Sequence, residues 1–205
     1  MTSNKGSKVP AAIGFDIPDA PAEMARRRVV RGRVAWLAAL VVAGVLVTSA
    51  LVTSRPVVQT TATLASAFTM PTSDGGSVSL SDYAGKPVIL YFNEGAGCDT
   101  CLLQMAAIEK DPAFAKQGIA VLPIVMNSAA QINHERERLG VKAPFALDNG
   151  TVSKEYKALG TGMHAGLPGH GFVLIDAKGV QRWSGNYPSM WLDPKELLKI
   201  VDSKL

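Results

Sequence analysis

The sequence predicts an α/β domain, a mixed sheet flanked by helices, preceded by one transmembrane helix. Three observations lead there. Val34 to Thr53 is a 20-residue stretch without a charge. From Phe68 onward, continuous apolar runs alternate with segments of helical spacing, as in sheets covered by helices on both faces. Near the C-terminus, "GFVLIDAKGVQRWSG" places two runs around an Asp-x-x-Gly turn, which reads as a hairpin and gives the sheet an antiparallel end.

Taken in order, residues 1–33 are a basic tail. They hold seven Lys+Arg against three Asp+Glu. The first 24 are rich in Pro, Gly, Ala and Ser without a period, and are expected to be unstructured. Residues 34–53 are long enough, at ~1.5 Å per residue, to cross the ~30 Å hydrocarbon core. "RRRVVRGR" precedes this span, and only Arg55 follows it before Lys86. The positive-inside rule then predicts a cytoplasmic N-terminus and an extracytoplasmic domain at the cell membrane. A cleaved signal peptide is the competing reading. The leader is long for one, and the A-x-A-like "LASA" at Leu64–Ala67 lies far beyond the apolar core. Residues 54–66 read as a linker, and residues 67–205 as the folded domain.

Within that domain, Val88–Phe92 and Ile119–Met126 are apolar runs suited to strands buried on both faces. A helix is expected from the cysteines to Asp111, and Asp111-Pro112 opens a short second one. "SAAQINHERERLG" is an amphipathic helix ended by Gly140. "FALDNGTVSKEYKALG" gives a short strand and a helix, and Asp193-Pro194 starts the last helix. Trp183, Tyr187, Met190 and Trp191 are expected to pack that helix. The net charge of +4 resides in the tail, because from Phe68 onward there are 13 Lys+Arg against 14 Asp+Glu. A nucleic-acid binder needs its positive charge on the folded surface, so that class is set aside.

Both cysteines lie in "YFNEGAGCDTCLLQM", as Cys98 and Cys101. A structural staple across so short a gap restrains little chain. A zinc site needs four ligands, and only His134, His164 and His170 remain to supply nitrogen. His134 falls in the charged helix. Redox use is the third reading of a C-x-x-C pair.

The segment "FTMPTSDGGSVSLSDYAGKPVILYF", the C-x-x-C after it, and "FALDNGTVSKEYKALG" and "GFVLIDAKGVQRW" together resemble the redoxins. These are the thioredoxin-fold branch that includes alkyl hydroperoxide reductase/thiol-specific antioxidant proteins and membrane-anchored thioredoxins. The resemblance implies a thioredoxin-like fold and a thiol-disulfide oxidoreductase acting on protein thiols and disulfides. No bound cofactor is expected, and because a reductant outside the membrane needs electrons delivered across it, a transmembrane electron-donor protein is the expected partner. Antioxidant thiol peroxidase activity is the alternative. Three departures stand out. Where peroxiredoxins carry P-x-x-x-T-x-x-C, the Pro position is Tyr91 and the Thr position is Gly95. Gly97 replaces the Trp usual before the first cysteine in thioredoxins. At the active-site loop preceding "FVLID", where a cis-Pro is expected, the candidates are Pro168 and His170.

The residues carry their own chemistry. A cysteine at a helix N-terminus is favoured as thiolate, the attacking species in exchange. Cys98 is therefore expected to attack and Cys101 to resolve. Asp99 is expected to oppose that thiolate. Glu94, at the end of a strand, is the candidate proton acceptor for Cys101. "GTGMHAGLPGHGF" brings Met163, His164 and His170 toward the cysteines. Thiolate, thioether and imidazole suit copper(I), so a copper-binding chaperone using Cys98, Cys101, His164 and His170 is a further alternative.

Overall fold

The computed structural model describes residues 20–53, 55–161 and 165–205. It divides into two compact units between Ala50 and Leu51. The first contains α1 (Ala20–Thr53) up to its last turn, and the described side chains of this helix from residue 26 to 52 are exposed. The helix is long and apolar enough to cross a membrane, a property that signal sequences share. It starts well before the uncharged stretch. Part of the tail expected to be unstructured is thus helical, since Ala, Glu, Met and Arg between Ala20 and Arg33 are strong helix formers continuing into the span.

The second unit opens on β1 (Val57–Leu64), within the segment expected to be a linker. Five of the eight residues of "VVQTTATL" are β-branched, which favours a strand. The strand lies at a sheet edge and is exposed along most of its length, so it lacks the apolar alternation that announces a half-buried strand. A hairpin follows, β2 (Thr69–Pro71) and β3 (Ser77–Ser79), then a 3₁₀ turn at Leu80–Tyr83.

The remaining elements are β4 (Val88–Phe92), α2 (Asp99–Lys110), α3 (Pro112–Lys116), β5 (Ala120–Val125), α4 (Ala129–Leu139), β6 (Ala146–Leu147), α5 (Thr151–Glu155), β7 (Gly171–Ile175), β8 (Val180–Asn186) and α6 (Pro194–Lys204). Their ends follow the expected signals. Asp111 caps α3 by accepting from the Ala113 N–H at 2.9 Å. Ser128 and Gln131 form a capping box on α4, and Gly140 closes that helix at φ 71°.

The sheet has six strands in the order β1-β8-β7-β4-β5-β6. β4, β5 and β6 are parallel, while β7, β8 and β1 are antiparallel to their neighbours. Every residue of β4 and β7 is buried. Ile89 and Tyr91 face one core, with Leu102 and Met105 of α2, Ile132 of α4 and Leu197 of α6. Val88, Leu90 and Phe92 face the other, with Phe68 and Met70 of the hairpin region and Tyr156 beyond α5. Trp183 and Tyr187 pack in the first core with α6, whereas Trp191 is 39% exposed. The centre of the sheet, β4, therefore delivers its C-terminal end to the start of α2.

Candidate active site

The site forms where β4 ends and α2 begins. Cys98 occupies the cap position of α2, half-buried, and Cys101 is wholly buried one turn further on. The two sulfurs are joined as a disulfide, with Cα atoms 5.4 Å apart. A C-x-x-C at a helix start reaches this separation without displacing the backbone, because one turn brings residue i+3 back beside residue i.

The loop between Phe92 and Cys98 is held by its own polar groups. Asn93 is buried. Its Nδ2 donates to the Tyr91 carbonyl at 3.2 Å, and its Oδ1 accepts from the Gly95 N–H at 3.0 Å. Asn127, just beyond β5, accepts from the Ala96 N–H at 3.0 Å. The Cys98 N–H donates to the Gly95 carbonyl at 3.0 Å. Gly95 has φ 68°, and a Cβ there would lie 2.1 Å from Asn127 Oδ1 and 2.8 Å from Val125 Cγ1. Only glycine fits this turn, which places Cys98 at the head of the helix.

Behind the disulfide lies His170, the residue immediately before β7 and only 1% exposed. Its Nδ1 is 3.7 Å from Cys101 Sγ and 3.2 Å from Tyr91 Oη. The Tyr91 hydroxyl donates to the Cys101 carbonyl at 3.0 Å. Tyr91 stacks on Phe172 with ring centres 4.6 Å apart, and His170 stands edge-on to both rings. Burial pushes the His170 pKa down to about 4, so the ring is neutral at physiological pH. Burial likewise raises the Tyr91 phenol well above its usual value.

Of the two active-site-loop candidates, it is therefore His170 whose side chain lies against the cysteines. Pro168 is bridged to Leu159, and every described peptide bond is trans. Glu94 is half-buried in the loop between β4 and Cys98. Asp99 does not face Cys98 as an unpaired charge. Arg138 of α4 clasps its carboxylate, one contact being 3.1 Å from Nη1 to Oδ2. That hydrogen bond holds the Asp99 carboxyl below the usual range and compensates part of the repulsion expected at the thiolate.

In the copper set, His164 lies outside the described residues. Among the described residues, no three His, Cys, Asp or Glu side chains are grouped as a metal site, and the two sulfurs are bonded to each other.

Sequence reasoning named Tyr91 only as a departure from the peroxidase pattern, and missed Asn93, Asn127 and Arg138. A signal existed for the two asparagines, since each is a polar residue at the C-terminal end of a buried strand, where sites gather in α/β sheets. Arg138 is 39 positions from Asp99, and nothing local announces that pairing.

A thioredoxin-like sheet with a dithiol capping its first domain helix defines a redoxin. The chain belongs to the AhpC/TSA family, whose model matches residues 61–184. It is 31% identical over 122 residues to the chloroplastic peroxiredoxin Q of Triticum aestivum, covering 58% of this chain and 55% of that protein. It is 30% identical over 143 residues to the peroxiredoxin Q of Suaeda salsa, covering 67% and 65%. The chain thus spans less than two thirds of the length of these curated relatives. Among solved structures, Mycobacterium tuberculosis AhpC superposes with a TM-score of 0.62 at 15% identity, covering 71% of this chain and 92% of that one.

Proposed function

We propose that the protein is a membrane-anchored thiol peroxidase working through Cys98 and Cys101. The observation that carries this is the half-exposed Cys98 at the head of α2, within bonding reach of a wholly buried Cys101. The helix N-terminus favours the Cys98 thiolate. That thiolate attacks a hydroperoxide, the O–O bond breaks, and an alcohol or water leaves while Cys98 becomes a sulfenic acid. Cys101 displaces the hydroxyl, releasing water and closing the disulfide. Two electrons pass from the dithiol to the peroxide, and an external thiol donor must return them. Membership of the AhpC/TSA family, with relatives named peroxiredoxins, supports this reading over general disulfide exchange.

Exchange with protein disulfides is the second reading, favoured by Tyr91 and Gly95 at the positions where the peroxidase pattern has Pro and Thr. A reduced full-length chain, held in detergent, separates the two. Hydrogen peroxide is expected to oxidise both thiols at one equivalent per chain, faster than glutathione disulfide does. Oxidation by glutathione disulfide alone would transfer the lead to exchange.

The charge asymmetry around Val34–Thr53 supports an anchor with the domain outside the cell membrane. Electrons for the pair would then come through a transmembrane thiol donor. After mild reduction of intact cells, a membrane-impermeant maleimide is expected to label Cys98. Labelling only after lysis would place the domain inside.

A further inference from the structure

Buried histidines beside a disulfide are not required by a C-x-x-C pair, so His170 needs its own account. We propose that His170 is a further catalytic residue, whose Nδ1–H donates a hydrogen bond to Cys101 Sγ and stabilises the negative charge that gathers there as Cys101 attacks Cys98. This rests on the reading of Cys98 and Cys101 as a working dithiol.

The contacts favour the tautomer with the hydrogen on Nδ1. The only hydrogen of the Tyr91 hydroxyl goes to the Cys101 carbonyl at 3.0 Å, so its oxygen accepts from the His170 ring. His170 reaches that oxygen with Nδ1 at 3.2 Å and with Nε2 at 3.5 Å, and Nδ1 is also the nitrogen beside the disulfide sulfur, which can only accept. That same Nδ1 lies 3.7 Å from Cys101 Sγ, within the range of a bond to sulfur. Its hydrogen bond can move from the phenol oxygen to the sulfur without a change of rotamer. Burial keeps the ring neutral, so it acts as a donor rather than as a charge or a base. The groups against it are Tyr91 from β4, Cys101 from α2 and Phe172 from β7, with the Tyr187 N–H on its carbonyl. None of these carries a charge in the disulfide state.

In the resolving step, the Cys101 S–H bond breaks and the S–S bond forms. The Cys98 S–O bond breaks, and the thiol proton leaves with the oxygen as water. His170 keeps its own proton throughout. A hydrogen bond from a neutral N–H to a forming thiolate in a buried site is of the size that changes a rate about tenfold or more.

The test uses an aromatic disulfide, 5,5′-dithiobis(2-nitrobenzoate), on the reduced full-length chain in detergent. Cys98 attack releases the first coloured thiolate. Closure by Cys101 releases the second, with its thiol proton passing to buffer. No peroxide is involved, so failure of the peroxidase reading and failure of this one are distinct. His170→Ala is expected to slow the second phase about tenfold or more and the first phase less than about twofold. His170→Asn, which keeps an N–H donor, is expected to hold closure within about threefold of the parent. His134→Ala, at an exposed position on α4, is expected to leave both phases unchanged. An equal loss in both phases of His170→Ala, or unaffected closure, overturns the proposal. Should His170→Ala fail to fold, His170→Phe, which fills the same space without a donor, takes its place. Closure slowed about tenfold or more is again expected, and unaffected closure overturns the proposal.

Discussion

Cys98→Ser is expected to abolish peroxide consumption, a loss of at least about a thousandfold in kcat/KM, while leaving the fold intact. A serine hydroxyl at this cap is a far weaker nucleophile than a thiolate, and it forms no disulfide. Cys101 cannot take over, because it has no exposure and sits behind the first turn of α2 with His170 and Tyr91 around it. The fold survives because the disulfide links residues only three apart, a loop whose closure contributes about 2 kcal/mol in the chain-entropy account. Two cores on either side of the sheet carry the rest. Cys101→Ser should behave differently. Cys98 is oxidised once by peroxide, a sulfenic acid accumulates, and turnover stops unless a small thiol resolves it. Dimedone labelling followed by intact-mass measurement reads both outcomes. Peroxide turnover persisting in folded Cys98→Ser would remove Cys98 from the nucleophile's role, and the mechanism with it.

Legibility in the sequence followed burial. β4, β5 and β7 are central strands, so both faces are apolar and their residues read as unbroken runs. α3 and α6 announced themselves through caps, because an N-terminal Asp satisfies free N–H groups from within a few residues, and α4 through its amphipathic pattern and its end at Gly140. β1 was hidden for the opposite reason. It gains its hydrogen bonds from β8, more than a hundred residues away, and buries too little to impose a pattern. The site divides along the same line. Cys98 and Cys101 are local, and their placement at the head of a helix follows from spacing alone. His170 against Cys101 and Arg138 on Asp99 are contacts 69 and 39 residues apart in sequence. The resemblance to redoxins brought His170 to the right loop. Choosing between it and Pro168 needed the register of β7 against β4, which puts Gly171 opposite Phe92 and so turns His170 toward Tyr91 and Cys101.

Gly95→Ala is expected to be the most damaging change that touches neither sulfur. Two costs combine. At φ 68° an alanine sits in the left-handed region, where a Cβ costs about 1–2 kcal/mol. Its Cβ would also meet Asn127 Oδ1 at 2.1 Å and Val125 Cγ1 at 2.8 Å, an overpacking cost of about 1–3 kcal/mol. Asn127 cannot simply swing away, because its Oδ1 holds the Ala96 N–H. The loop must shift instead, and the Gly95 carbonyl that anchors the Cys98 N–H shifts with it. The sum, about 2–5 kcal/mol, predicts a thermal midpoint lower by about 5–15 °C, together with slower attack by Cys98. Gly97→Ala is the control. Its φ of 102° is also positive, but a Cβ there meets nothing within 4 Å, so only the backbone cost applies. Equal midpoints for the two variants would mean that contact with Asn127 and Val125 does not hold the loop. A much lower midpoint for Gly95→Ala, with slowed release of the first thiolate from 5,5′-dithiobis(2-nitrobenzoate), would show that the glycine sets where Cys98 meets the helix N-terminus.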